Sequence, residues 1–139
     1  LPRQALNKRC FTGLIETVGA DRIGFDDFRC NGLLLPARED AALRLALPLH
    51  RGPHRRYNEM VIQRMGRIER CWSLQKQSRP DEAAAVALMR LALLQRALRR
   101  RLLDVRKPLR LNRKDRQAAR VDFTDLDAMA GLLWEASAD

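Results

Sequence analysis

The sequence predicts a mainly helical domain, and three observations support this fold class. Apolar residues make up 46% of the chain and aromatic residues only 5%. The apolar set is mostly leucine and alanine, which suit packed helices better than strands. Two long segments also repeat apolar residues at the three- and four-residue spacing of an amphipathic helix. At 139 residues the chain is long enough to bury a core, so we predict a single domain over residues 1–139.

The two long helices are predicted at residues 53–75 and at about 80–103. Pro53 fits the first helical position of the first helix, whose apolar stripe consists of Tyr57, Val61, Met65, Ile68 and Trp72. The second helix has acidic residues at its start and arginines near its end, as the helix dipole favours. Its predicted buried face consists of Ala84, Leu88, Leu91, Leu94, Leu98 and Leu102. Shorter helices are predicted at 38–47, with Ala42, Leu43, Ala46 and Leu47 on one face, and at 124–136.

The net charge of +10 and the pI of about 10.9 favour a polyanionic partner, with nucleic acid first. A soluble arginine-rich protein without such a partner is the alternative. A basic loop is predicted at 104–122, and its candidate phosphate contacts are Arg106, Lys107, Arg110, Arg113, Lys114 and Arg116. The loop is otherwise interpreted as a solvated segment or a dock for an acidic inhibitor protein. No apolar run approaches the length of a membrane span.

The two histidines of the chain, His50 and His54, flank an Arg-Gly-Pro corner. Imidazole changes charge near neutral pH and is a frequent metal ligand. We expect His50 in the loop before the first long helix and His54 in its first turn. Spacing alone leaves two interpretations open, a metal or catalytic pair and a pair of surface or capping residues. The three cysteines form no zinc-type pair, and no motif supports a cysteine nucleophile.

Two blocks of sequence resemble a known family. The first is Asn-Gly-Leu-Leu-Leu-Pro at 31–36, and the second is Leu-His-Arg-Gly-Pro-His-Arg-Arg-Tyr-Asn at 49–58, followed by Val61. Together they resemble the AHH group of the HNH/endonuclease VII nuclease superfamily, which comprises bacterial polymorphic-toxin and effector domains. The resemblance covers roughly residues 1–70.

The resemblance implies a metal-dependent endonuclease that hydrolyses phosphodiester bonds of DNA or RNA. It implies a small ββα-metal (His-Me finger) corner within residues 1–75, packed on additional helices of 76–139. Asn31, His50 and Tyr57 match catalytic positions, and His50 and His54 match ligands of one divalent ion, with Zn, Mg, Mn and Ni as candidates. Arg51, Arg55 and Arg56 would contact nucleic acid together with the basic loop.

The sequence departs from the family pattern because it contains no Ala-His-His block. We expect that block immediately before Leu1, so that residues 1–139 lack the general base and one metal ligand and are inactive or weakened by themselves. The resemblance also implies a bacterial effector, with an acidic immunity protein as a possible partner. The expected location is the cytoplasm, or a target cell reached through a secretion system, since no signal peptide is seen in this chain. The alternative hypothesis is a non-catalytic basic helical module that binds nucleic acid or an acidic protein.

Overall fold

The computed structural model describes residues 1–107, 109, 111, 128, 131 and 132, and this part of the chain is mainly helical. Two 3-10 turns, Arg3–Ala5 and Arg9–Phe11, come first. The helices that follow are α1 (Thr12–Val18), α2 (Ala20–Ile23), α3 (Phe28–Asn31), α4 (Glu39–Leu45), α5 (Arg55–Gln75) and α6 (Pro80–Leu102). The mainly helical fold class is therefore confirmed.

The two long helices agree closely with their predicted ranges. Helix α5 buries Val61, Met65, Ile68 and Trp72 of the predicted stripe, together with Met60. Helix α6 begins with Asp81 and Glu82 in its first turn and ends with three arginines in its last turn. Its buried face starts at Ala83 and Ala87 instead of Ala84 and Leu88, and it joins the predicted face from Leu91 onward.

The short helix α4 differs from its prediction in both length and burial. It ends at Leu45 because Ala46 adopts a left-handed backbone with φ +50°, a conformation that no helix continues. None of its residues is buried. The predicted apolar face is wrong, because Leu43 is 50% exposed and Ala46 is exposed as well.

The chain contains two compact units. The first consists of Leu1–Gly32 with Asn58–Gln95, and the second consists of Leu33–Tyr57 with the described residues from Arg96 onward. Fully buried side chains of the first unit include Phe11, Leu14, Val18, Val61, Met65 and Leu91. In the second unit, Leu33, Leu35 and Tyr57 pack against a cluster of Leu102, Leu109 and Leu111. The assignment of residues 1–139 to a single domain stays a prediction.

The expected ββα corner is not formed, because the described residues contain no strand. Two segments come near to pairing, and the His50 amide donates to the Pro36 carbonyl at 2.8 Å. Pro36 and Pro48 each lack the N–H group that a ladder requires, which explains why pairing does not extend. The alternation expected of an extended chain survives at Leu33, Leu34 and Leu35, where the middle residue is 81% exposed and its neighbours are half-buried.

The predicted helix at 124–136 and most of the basic loop lie outside the described residues. Ala128, Gly131 and Leu132 are described, and all three are helical and exposed. Among the helices that the structure describes, none combines the length and the apolar character needed to cross a bilayer.

Candidate active site

The histidine corner lies in the second unit, immediately before α5. The imidazole rings of His50 and His54 have centroids 4.7 Å apart and are tilted by 40°. Between them, Gly52 has φ +84°, a conformation that glycine adopts without steric cost. The turn at Gly52 thus returns the chain so that the second ring meets the first. Helix α5 begins at Arg55, so Pro53 and His54 precede the helix, and the expectation that they lie in its first turn is wrong.

Among the described residues, the hydrogen-bond partner of His54 is a backbone carbonyl group. Its Nδ1 atom lies 3.4 Å from the carbonyl oxygen of Leu111. A carbonyl only accepts, so Nδ1 carries the proton and Nε2 keeps the lone pair. Burial lowers the pKa of His54 below its ordinary value, the bond to Leu111 raises it, and the charge of His50 lowers it further. Because the net shift of this pKa is downward, the neutral ring that a metal requires is favoured.

The donor set at this corner fits part of a divalent-ion site. Two neighbouring imidazoles suit Zn, Ni or Mn, whereas carboxylates and water suit Mg. Within the described ranges, no group of three histidine, cysteine, aspartate or glutamate side chains converges. A shallow depression beside His50 is lined by Ala37, Arg38, Glu39, Asp40 and Arg51, but Asp40 there is paired with Arg38 at 3.0 Å. The histidine pair can offer two nitrogen ligands at most, and metal binding by His50 and His54 stays a prediction.

Asn31 lies in the first unit and acts there as a brace. Its Nδ2 donates to the Leu1 carbonyl at 2.9 Å and to the Phe25 carbonyl at 3.1 Å. Its Oδ1 accepts from the Leu1 nitrogen and, at 3.5 Å, from Nε2 of Gln95. The side chain thus ties the first residue of the chain to α3 and α6.

The glycine after Asn31 is required for space and not for a left-handed turn. Gly32 has φ −92° and ψ 152°, an extended conformation open to any residue. Glycine is needed because a Cβ atom at this position would overlap the ring of Phe28. The close approach of the Phe28 ring therefore explains why position 32 is a glycine.

Tyr57 packs against the cluster of Leu102, Leu109 and Leu111. Burial raises the pKa of its phenol to about 12. The hydroxyl group therefore stays protonated at neutral pH and is able to donate, but not to act as a phenolate base. Its catalytic role stays a prediction.

Several basic residues are close to the histidine corner in the sequence. Those that the structure describes are exposed to solvent. Arg51, Arg55 and Arg56 are exposed, and so are Arg106 and Lys107 of the basic loop. The other predicted contacts, Arg110, Arg113, Lys114 and Arg116, lie outside the described residues. Binding of nucleic acid by these nine side chains stays a prediction.

Sequence reasoning missed two residues that hold the candidate site residues in place. Gln95 is buried in α6, and its Nε2 donates to the Ile23 carbonyl at 3.0 Å as well as contacting Asn31. A polar residue inside the apolar run 91–98 is the signal that could have identified it. Leu111 acts through its backbone carbonyl, for which the sequence carries no signal.

Comparison with known proteins gives one match. A family model, described as a nuclease family of the HNH/endonuclease VII superfamily with a conserved AHH motif, matches residues 2–98. The match covers more than half of the chain. No curated protein and no solved structure matches.

Proposed function

This chain belongs to the AHH family of nucleases, and we propose that it hydrolyses phosphodiester bonds of DNA or RNA with the help of one divalent ion held by His50 and His54. The observation that carries the proposal is the histidine corner, where two imidazole rings lie 4.7 Å apart at the start of a helix. The hydrogen bond from His54 Nδ1 to Leu111 leaves Nε2 of the same ring as a ligand.

Each remaining site residue has a role that follows from its contacts. When bound, a divalent ion supplies charge stabilisation at the phosphate and at the leaving oxygen. The exposed guanidinium groups of Arg51, Arg55 and Arg56 would bind the phosphate backbone without sequence preference. The protonated phenol of Tyr57 would donate a hydrogen bond. Asn31 would act by positioning the chain, since its side-chain hydrogen bonds to the described residues go to groups of the first unit.

We propose that the general base is a histidine of the Ala-His-His block that is conserved in the family. Residues 1–139 contain no such block and only two histidines.

Cleavage assays on two proteins test this function. One protein consists of residues 1–139, and the other carries Ala-His-His directly before Leu1. Each is incubated with supercoiled plasmid and with structured RNA in the presence of Mg²⁺, Mn²⁺, Ni²⁺ or Zn²⁺. We expect cleavage by the extended protein that EDTA abolishes, and little or none by residues 1–139 alone. Changing both His50 and His54 to alanine in the extended protein should abolish cleavage.

The same proteins distinguish catalysis from simple binding. A basic binding module would retain salt-dependent binding of labelled DNA after both histidines are changed to alanine. If the folded extended protein leaves plasmid and RNA intact with every ion while it still binds DNA, the nuclease proposal fails and the non-catalytic hypothesis replaces it.

We also propose that the nuclease acts as a bacterial effector that an acidic immunity protein neutralises. The support is the net charge of +10, which an acidic protein would complement. Delivery into a target cell through a secretion system, or action in the cytoplasm, fits such a role. Induced expression of the extended protein should stop bacterial growth, and the variant lacking both histidines should not. Unchanged growth with detectable cleavage activity would contradict the effector role alone.

A further inference from the structure

We propose that the chain following α6 is a positioning element for the histidine corner and that it sets the tautomer of His54. Residues 103–107, Leu109 and Leu111 form what we call the return segment. This segment lies outside residues 2–98, which match the family model. The inference rests on the proposed function, because the histidine that it concerns is a candidate metal ligand.

The return segment is fixed at its beginning by Arg101. This side chain is only 7% exposed, and its Nη1 donates to the carbonyl of Lys107. The Arg106 amide also donates to Oδ1 of Asp104 at 3.0 Å, which closes a turn directly after the helix. A buried guanidinium group is costly unless it is hydrogen-bonded, so the contact with Lys107 holds the backbone there.

The segment is fixed at its end by leucine packing. Leu109 is 2% exposed and Leu111 is 8% exposed, and both cluster with Leu102. Leu33, Leu35 and Tyr57 pack against the same cluster. Burial of a leucine side chain stabilises the conformation that buries it. The backbone of Leu111 is therefore held by its own side chain.

The Leu111 carbonyl then acts on His54. It lies 3.4 Å from Nδ1 and accepts a hydrogen bond from it, so the ring proton stays on Nδ1 and Nε2 carries none. Metal-binding histidines nearly always donate their second ring nitrogen to such a group, which fixes both the ring orientation and the tautomer. Arg101, Leu109 and Leu111 are thus positioning residues for the site, and the family match alone does not include them.

The tautomer of His54 in the metal-free chain tests this inference directly. Long-range proton–nitrogen correlation spectra distinguish a ring protonated on Nδ1 from one protonated on Nε2. The chain has two histidines, so the spectrum of His50→Gln assigns His54. At pH 8 we expect His54 protonated on Nδ1 in the unaltered chain, and a mixture of both forms when Leu109 and Leu111 are both changed to alanine. Leu103→Ala is the matched control, because Leu103 is 41% exposed in the same segment, and it should leave the tautomer unchanged.

Zinc titration, followed through the same ring signals, gives a second measurement. We expect the affinity of the double alanine variant to fall about 10- to 100-fold, the usual effect of losing an outer hydrogen-bond partner of a ligand. The affinity of the Leu103→Ala chain should equal that of the unaltered chain.

A milder pair of variants applies if the double alanine variant loses its helical circular dichroism. Arg101→Met removes the contact with Lys107, so His54 should become a mixture of both tautomers in that variant. Arg101→Lys retains a donor, so His54 should stay protonated on Nδ1 in that variant. A His54 protonated on Nε2 in the unaltered chain, or on Nδ1 in a folded Arg101→Met chain, overturns the inference. These spectra need neither metal nor nucleic acid. An extended protein that is inactive, with His54 protonated on Nδ1, would therefore overturn the nuclease mechanism alone.

Discussion

The Asn31 brace and the histidine corner are both polar clusters, but their side chains use their polar atoms in opposite ways. Asn31 directs both ends of its amide to groups of the first unit, through contacts with Leu1, Phe25 and Gln95. His54 in the second unit uses one ring nitrogen on a backbone carbonyl, and His50 beside it is exposed. A polar side chain that uses its amide on both sides within the fold contributes stability, whereas a ring that is held through one nitrogen is suited to bind a ligand through the other.

Loss of a histidine should therefore affect activity more than any other change. In the protein that carries Ala-His-His before Leu1, we expect His54→Ala to lower the rate of plasmid or RNA cleavage about 100-fold or more, since a bound ion contributes several kcal/mol to the transition state. Single-turnover cleavage measures this rate. Gln63→Ala, at an exposed position of α5, is the control and should leave the rate unchanged. If both variants cleave at equal rates, the histidine corner is not the site of catalysis.

Loss of the brace should affect stability instead. Asn31→Ala removes the donor to the carbonyls of Leu1 and Phe25, so we expect the free energy of unfolding to fall by about 1–3 kcal/mol. Denaturant titration followed by circular dichroism measures the change. Asn7→Ala, which removes an exposed asparagine, should change the free energy by less than about 0.5 kcal/mol.

A double-mutant cycle with Gln95→Leu sharpens this result. Gln95 shares the brace through its contact with Asn31, so the two changes should be non-additive by at least about 0.5 kcal/mol. Strict additivity would mean that Asn31 and Gln95 act separately and do not form one brace.

Replacement of the arginines near the histidine corner should weaken nucleic-acid binding without changing the fold. Replacing Arg51, Arg55 and Arg56 with glutamine removes three exposed charges. Each lost phosphate contact should lower the salt dependence of duplex binding by about 0.9 in the logarithmic slope, so we expect a decrease of roughly 2–3. Titrating labelled duplex at several salt concentrations measures it. The matched control changes Arg22, Arg67 and Arg70 of the first unit, which are equally exposed, and an equal decrease there would show that binding is not focused on the corner.

The smallest effect is expected at Tyr57. Tyr57→Phe keeps the ring that packs on the leucine cluster, so below pH 10 stability should change by less than about 0.5 kcal/mol. The pKa of the phenol is raised to about 12, so the stability that this shift provides is present below the unfolded pKa of about 10 and is lost as the pH rises toward 12.

Absorbance near 295 nm measures this ionisation directly, because Tyr57 is the one tyrosine of the chain. We expect a midpoint near 12 in the folded chain and near 10 in denaturant. A titration midpoint near 10 in the folded chain would mean that the phenol is solvated and does not pack against the leucine cluster.

The sequence predicted those features that local patterns determine. The apolar stripe of α5 extends over about four turns, which is long enough to identify a helical period. The burial of Val61, Met65 and Trp72 follows from that period. In α4 the pattern covers only two turns, and the predicted face turned out to be exposed. Short amphipathic patterns carry too few residues to determine which side is buried.

The candidate site was predictable only in part for a similar reason. The corner from His50 to His54 is local, and its glycine and proline indicate a tight turn. The contacts from Gln95 to Ile23 and from His54 to Leu111 join residues more than fifty positions apart, and a single sequence gives no pairing information at that distance. The lack of strand pairing in the described residues follows from Pro36 and Pro48, which have no amide hydrogen to donate.

The leucine cluster of the second unit has a practical consequence for solubility. Leu102, Leu109 and Leu111 all follow residue 98, where the family match ends. A fragment cut at that boundary would leave Leu33, Leu35 and the ring of Tyr57 without the side chains that cover them. Exposed apolar patches of this kind promote aggregation. The stretch that defines the family is thus shorter than the stretch that must be kept to obtain a soluble protein.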